Sequence, residues 1–142
     1  MNVINKDNIE ELKNWKENKK TNVINKDNIE EFMNKYNDFH DSNFININYD
    51  IYKQNIEIII EVFWKLNEKG EYERSENNLK MSFENTEECN IKEINSWDFI
   101  YEAYMKYVNI EDLGEMLCFA SDKDDPLFYI ICKDIQYEEI DK

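Results

Sequence analysis

The stretch Ile56-Glu57-Ile58-Ile59-Ile60-Glu61-Val62-Phe63-Trp64-Lys65-Leu66 decides the fold class. Ile56, Ile58, Ile60, Val62, Trp64 and Leu66 take every second position, with Glu57, Ile59, Glu61, Phe63 and Lys65 between them. A side-chain period of two is that of a β-strand with one face on a core. Upstream, Ile45, Ile47, Tyr49 and Ile51 alternate with Asn46, Asn48 and Asp50, and the gap at 52–55 is of hairpin length. Downstream, Leu79, Met81 and Phe83 alternate with Lys80, Ser82 and Glu84. Residues 116–120 and 128–137 form two more apolar runs, and Asp122-Lys123-Asp124-Asp125-Pro126 reads as the turn between them. In the last run Phe128, Ile130 and Cys132 share a face while Ile135 and Tyr137 are out of phase. That slip predicts a bulge near Lys133 and Asp134. Strands are therefore expected over 44–51, 56–66, 79–84, 115–121 and 128–137, each paired antiparallel with its neighbour in sequence.

The N-terminus carries a repeat. Asn2-Val3-Ile4-Asn5-Lys6-Asp7-Asn8-Ile9-Glu10-Glu11 recurs unchanged, 20 residues on, as Asn22-Val23-Ile24-Asn25-Lys26-Asp27-Asn28-Ile29-Glu30-Glu31. Two identical copies point to a tandem duplication rather than a solenoid, whose units diverge and number about three or more. The second copy leads into a helix over 27–37, with Asp27 as its cap, Glu30 at capping-box spacing, and Ile29, Phe32, Met33 and Tyr36 on one apolar stripe. The first copy leads into 7–19, whose stripe of Ile9 and Leu12 is thinner. Residues 1–21 are thus expected to be an added arm, able to join two copies as a homodimer, and 22–142 a single domain. Trp97, Tyr101, Tyr104 and Val108 fit a helical stripe over 97–108, and a strand is the alternative there. The expected architecture is α+β: an antiparallel sheet of about five strands, curled or barrel-like, with the N-terminal helix and one further helix packed on it.

Length and composition bound the function. A chain of 142 residues with 42% hydrophobic and 14% aromatic residues is long and apolar enough for one core. Its longest apolar run is a few residues, so no membrane span is expected. Cys89, Cys118 and Cys132 form no CxxC and cannot all pair, which suits a reduced, cytoplasmic setting. The net charge is −15 and uneven. Residues 1–42 hold seven lysines against nine acids; residues 43–142 hold ten basic residues against 23 acids. Nucleic-acid phosphates are disfavoured as a partner, and a basic protein is favoured.

No catalytic signature stands out, and the chain reads as a binding protein rather than an enzyme. Two glycines leave no phosphate-cradling loop. His40 is the only histidine, and one His with Cys at these spacings builds no metal site. No cofactor is expected. The densest acid lies at the C-terminus, where Asp122, Asp124, Asp125, Glu138 and Glu139 are the candidate partner-binding residues. A second reading, a small-ligand or hydrolytic pocket, rests on His40, Asp41 and clustered tyrosines, chiefly Tyr101. A third is a structural module without a partner.

Phe39-His40-Asp41-Ser42, the Ile-alternating hairpin after it, and Leu79-Lys80-Met81-Ser82-Phe83-Glu84-Asn85 together resemble a type of small bacterial protein. These open with a phenylalanine-histidine-aspartate phrase and carry a later strand with a phenylalanine near its end. Some are similar to immunity proteins of toxin systems. The resemblance spans roughly residues 36–140. It implies an antiparallel sheet with one or two helices and no catalytic residues, and it points to inhibition of a basic toxin.

Overall fold

In the computed structural model, residues 22–91, 99–100, 102–122, 126 and 128–142 are described. The first repeat copy and the expected helix over 7–19 lie outside them. Among the described residues ten strands and one α-helix follow in chain order: β1 (Asn22–Val23), α1 (Ile29–Lys35), β2 (Ser42–Asp50), β3 (Asn55–Glu61), β4 (Trp64–Leu66), β5 (Tyr72–Arg74), β6 (Asn77–Ile91), β7 (Phe99–Ile100), β8 (Tyr104–Ile110), β9 (Gly114–Ala120) and β10 (Phe128–Asp141). Seven strands form one antiparallel sheet in the order β7-β2-β3-β6-β10-β9-β8, and β1 adds to β10 as an eighth. β4 and β5 make a separate hairpin.

The α+β expectation is overturned: the described residues are mostly β, with one short α-helix among them, and the sheet is not closed into a barrel. The described part of 97–108 contributes β7 and the start of β8, and no helix. There the residues turned to the core are Ile100, Ala103 and Met105, none of which belongs to the helical stripe of Trp97, Tyr101, Tyr104 and Val108. The run 56–66 breaks after Glu61, so Val62 is buried while Trp64 starts the side hairpin and is only half-buried. Of the expected neighbours, β2–β3, β3–β6 and β9–β10 pair antiparallel, but β6 and β9 do not, because the C-terminal β10 inserts between them. Cys132 and Ile135 both face the core, so the inward phase slips between them, and at that level Asn85 of β6 has φ 53. The ladder shifts register one residue earlier than expected, between Ile131 and Cys132.

The open sheet is strongly curled. Adjacent strands lie about 4.8 Å apart, so β2 and β10, three steps from each other, would be about 14 Å apart in a flat sheet. Yet the rings of Phe44 and Phe128 meet at 5.2 Å between centroids. The two end strands, β7 and β8, are also joined through residues 101–103 alone. The concave side is lined by Ile56, Ile58 and Ile60 of β3, by Leu79, Met81 and Phe83 of β6, and by Phe119, Phe128, Ile130 and Ile135, all fully buried.

Helix α1 seals this concave side. Phe32 and Met33 point inward, and Phe32 packs on Tyr36, Phe39 and Tyr137 at 4.4–5.8 Å. The expected capping box at Asp27 and Glu30 does not form. Instead Asn28 occupies the cap position, and Asn25 Oδ1 accepts the N–H groups of Asp27 and Asn28 while Asn28 Oδ1 accepts that of Asn25. The following residues Asn37, Asp38 and Phe39 are all left-handed, with φ of 53, 53 and 57. Asn and Asp tolerate this region, and Phe39 is held there by complete burial against Tyr36 and Phe119. The turn carries the chain across the gap between the sheet ends, where Asp41 N–H donates to Ile100 and Ala103 N–H donates to Asp38.

Adjacent isoleucines of β3 distinguish the two faces. Ile60→Ala is expected to destabilise by about 2–4 kcal/mol, because it opens a cavity in a fully buried site. Ile59→Thr, on the opposite face, is expected to cost under about 1 kcal/mol. Urea unfolding of both variants checks the assignment. Equal losses would place the core on the wrong face.

Candidate functional site

Alternation along three neighbouring strands sets the chemistry of the convex side. In β3 the residues between the buried isoleucines are Asn55, Glu57, Ile59 and Glu61. β6 presents Asn78, Lys80, Ser82 and Glu84 there, and β10 presents Asp134, Gln136, Glu138 and Ile140. Register places Glu61 beside Asn78, Lys80 between Ile59 and Glu138, and Glu84 directly opposite Asp134. Where the inward phase slips, Lys133 is exposed beside Asp134, so the face carries five carboxylates and two ammonium groups. Lys80 Nζ is shared between Glu57 Oε2 at 3.6 Å and Glu138 Oε1 at 3.5 Å. Directly opposed like charges destabilise a sheet. Glu84 and Asp134 are such a pair, in a sheet whose remaining outward positions could hold any polar residue.

Two acceptors lie in the same face. Asn43 of β2 and Asn78 of β6 flank Glu61 on either side, and each has a buried Oδ1 that meets no donor among the described residues. Carboxylates and amide oxygens side by side attract donor-rich cations. They supply no nucleophile paired with a base.

The C-terminal acids of the sequence reading are separated by the strand that carries them. Glu138 faces outward with Lys80. Glu139 turns to the rim of the concave side, where it accepts from Tyr36 Oη at 2.9 Å and pairs with Lys65 Nζ at 2.7 Å; Asn77 Nδ2 stands 3.3 Å away. Partial burial alone would raise the Glu139 pKa, and its bonds to Lys65 and Tyr36 outweigh that and bring it below the usual carboxylate value. Burial, with Glu139 beside it, pushes the Tyr36 hydroxyl well above the ordinary tyrosine range. This cluster ties β10 and the start of β4 to the end of α1. Asp122 is half-buried, and Asp124 and Asp125 lie outside the described residues.

His40 and Asp41 sit at the surface of the left-handed turn. His40 Nε2 lies 3.7 Å from Asp41 Oδ2, and Trp64 Nε1–H donates to the same oxygen at 3.3 Å. Tyr101 lies outside the described residues. A cleft of about 270 Å³ opens between α1 and residues 102–105, lined by Ile29, Glu30, Met33, Asp38, Glu102 and Met105 among others, and an open polar groove of about 950 Å³ lies along β4 and β5. His40 lines neither. In the cleft, desolvation and then Glu102 raise the pKa of Asp38. Cys132 is fully buried, and burial pushes its thiol up to about 12, so it behaves as a small apolar residue. Among the described residues no group of three or more His, Cys, Asp or Glu is placed to hold a metal ion. No helix among them is long and apolar enough to cross a membrane.

No family model matches the chain, and neither a curated protein nor a solved structure matches it significantly.

The Glu139 cluster has a pH signature. Because its folded pKa lies below the unfolded value, its contribution is present above about pH 4.3 and is lost as pH falls through the folded value. Glu139→Gln is expected to cost roughly 1–3 kcal/mol at pH 7, from weakened charged hydrogen bonds. The gap from wild type should shrink below about pH 4. Urea titrations at pH 7 and pH 3.5 check this. A gap that is the same at both would show that the carboxylate is not what stabilises the cluster.

Proposed function

We propose that this chain is a non-catalytic binding protein that presents the convex acidic face of β3, β6 and β10 to a basic protein. The observation that carries the reading is the directly opposed pair Glu84 and Asp134, within a face of five carboxylates and two lysines. Stability alone would favour opposite charges at such a site. A shared need for negative potential accounts for the pair, since a partner's cations relieve the repulsion on docking. The face is sheet-borne and fixed by the packed core beneath it, so little ordering is needed on binding. The net charge of −15 extends the field beyond the face and speeds encounter with a cationic surface.

The resemblance to immunity proteins narrows the partner to a basic toxin, whose anion-binding groove an acidic convex face would cover. Such inhibition needs no catalytic group on this chain.

Glu84→Gln with Asp134→Asn is expected to leave stability unchanged or raise it by up to about 1 kcal/mol, through relief of repulsion. The same double variant should slow association with a basic partner several-fold and flatten its dependence on salt. Capture of partners from the native host, followed by stopped-flow association between 20 and 300 mM salt, tests both. A partner that is not basic, or an on-rate insensitive to salt and to the double variant, would overturn the reading.

A further inference from the structure

Residues 22–31 anchor the start of the domain to the sheet, and the chain carries them twice. In the anchored copy Asn22 and Val23 pair with Tyr137 and Gln136 of β10, and the Ile24 N–H donates to the Ile135 carbonyl at 2.9 Å. The Ile24 side chain enters the core, and Ile29 packs against it. Lys26 Nζ lies 2.7 Å from Glu115 Oε1 and 5.6 Å from the centre of the Tyr107 ring. Asn28 Nδ2 donates to the Val23 carbonyl at 2.7 Å, and Asn25 and Asn28 close the helix start between them. Each of these side chains recurs 20 residues earlier, within residues 2–9, with Ile4 for Ile24, Lys6 for Lys26 and Asn8 for Asn28. The copies part after Glu31. Phe32, Met33 and Tyr36, all buried, correspond to Leu12, Lys13 and Lys16, while Asn34, which accepts from Tyr72 Oη, corresponds to Asn14.

We propose that this anchoring site has two occupants in one chain, and that residues 2–16 take the place of residues 22–36 in a slipped state. Lys16 then stands where Tyr36 does, one position before Asn37. Everything from Asn37 onward keeps its place, and residues 17–36 leave as a loop, whose closure cost grows only slowly with length. The slip keeps the β10 pairing, the buried isoleucine and the lysine beside Glu115, because the residues that make them are the same. It gives up the ring contacts of Phe32 with Tyr36, Phe39 and Tyr137 and the burial of Met33. Leu12 offsets part of this as an apolar residue. Lys16 brings an ammonium to Glu139 in place of the Tyr36 hydroxyl, and Lys13 brings one to the cleft that Met33 shares with Asp38 and Glu102. The second copy is therefore the ground state, and the slipped state lies above it by the difference at three side chains. The slip releases the stripe of Ile29, Phe32, Met33 and Tyr36 while the first copy keeps the concave side sealed. A partner that captures that stripe draws the population toward the slipped state. The first copy of another chain carries the same residues, but the tethered one acts at a higher effective concentration.

The test uses three variants of the full chain: Ile4→Asp, Ile24→Asp and the two together. Urea unfolding reads their stability, and residue-resolved amide exchange reads which copy is anchored. Ile4→Asp alone is expected to leave stability unchanged. Ile24→Asp should be rescued by the first copy, so that adding Ile4→Asp to it lowers the folding constant by about tenfold or more. In Ile24→Asp the amides of Ile4, Ile9 and Leu12 should be protected, while those of Ile24, Ile29 and Phe32, hydrogen-bonded in the anchored copy, should exchange freely. Equal stability of Ile24→Asp with and without Ile4→Asp would overturn the slip, and so would an Ile24→Asp chain that does not fold. Rescue that grows with protein concentration, with a dimer in sedimentation, would overturn the within-chain occupant in favour of a second copy of the chain.

Discussion

The pairing of β6 with β10 is the constraint on which the rest of the structure depends. It runs from Ile91 and Phe128 at one end to Asn77 and Asp141 at the other. The β3 hairpin joins one side of it, and β9 with β8 the other. Without it the molecule is two separate hairpin units with half a core each. The pairing is also long-range, since β10 is the last strand of the chain and reaches back past β7, β8 and β9. Loop closure must be met before the pairing rewards it, which makes this topology a slow one to fold. The aromatic contacts across the concave side reinforce the same choice: Phe83 and Phe119 of β6 and β9 meet at 5.6 Å only because β10 holds those strands in order.

The site follows from the ladder. Because side chains alternate, burying Leu79, Met81, Phe83 and Ile135 obliges Lys80, Ser82, Glu84 and Asp134 to face outward. The acidic face is thus placed by the core and not by any contact of its own. The same alternation gives two adjacent glutamates opposite roles. Glu138 belongs to the outer field, while Glu139 closes the rim with Lys65 and Tyr36 and so links strand, side hairpin and helix.

Much of the sheet was legible in the sequence, for a local reason. Period-two alternation in 56–61 and 79–84 states which face is inward without reference to a partner, whereas in 44–51 a bulge at Ile45 breaks the alternation, so that Phe44 and Ile47 pack on the core while Ile45 and Ile51 stand exposed. The helix near 29–36 was legible from its stripe. What local pattern does not encode is which strands meet. Nothing near Glu84 in sequence indicates that Asp134 lies opposite it, so the acidic face was invisible while the C-terminal acids, adjacent in sequence, were conspicuous. Residues 97–108 were misread because their aromatics at three- and four-residue spacing imitate a helix, whereas Met105 packs as a strand residue against Phe119's row. The Asn25 and Asn28 side-chain bonds in the repeat, formed in place of the Asp27 box, show two short polar motifs competing for one helix start.

Residue-resolved native-state hydrogen exchange tests the central role of β6 and β10 most directly. Amides of residues 79–83 and 135–137 should be the last to exchange, with an opening free energy equal to that of global unfolding, while those of β4 and β5 exchange by local opening. If the β10 amides exchange well before those of β2 and β3, the C-terminal strand is an accessory to the sheet and not its centre, and the account is wrong.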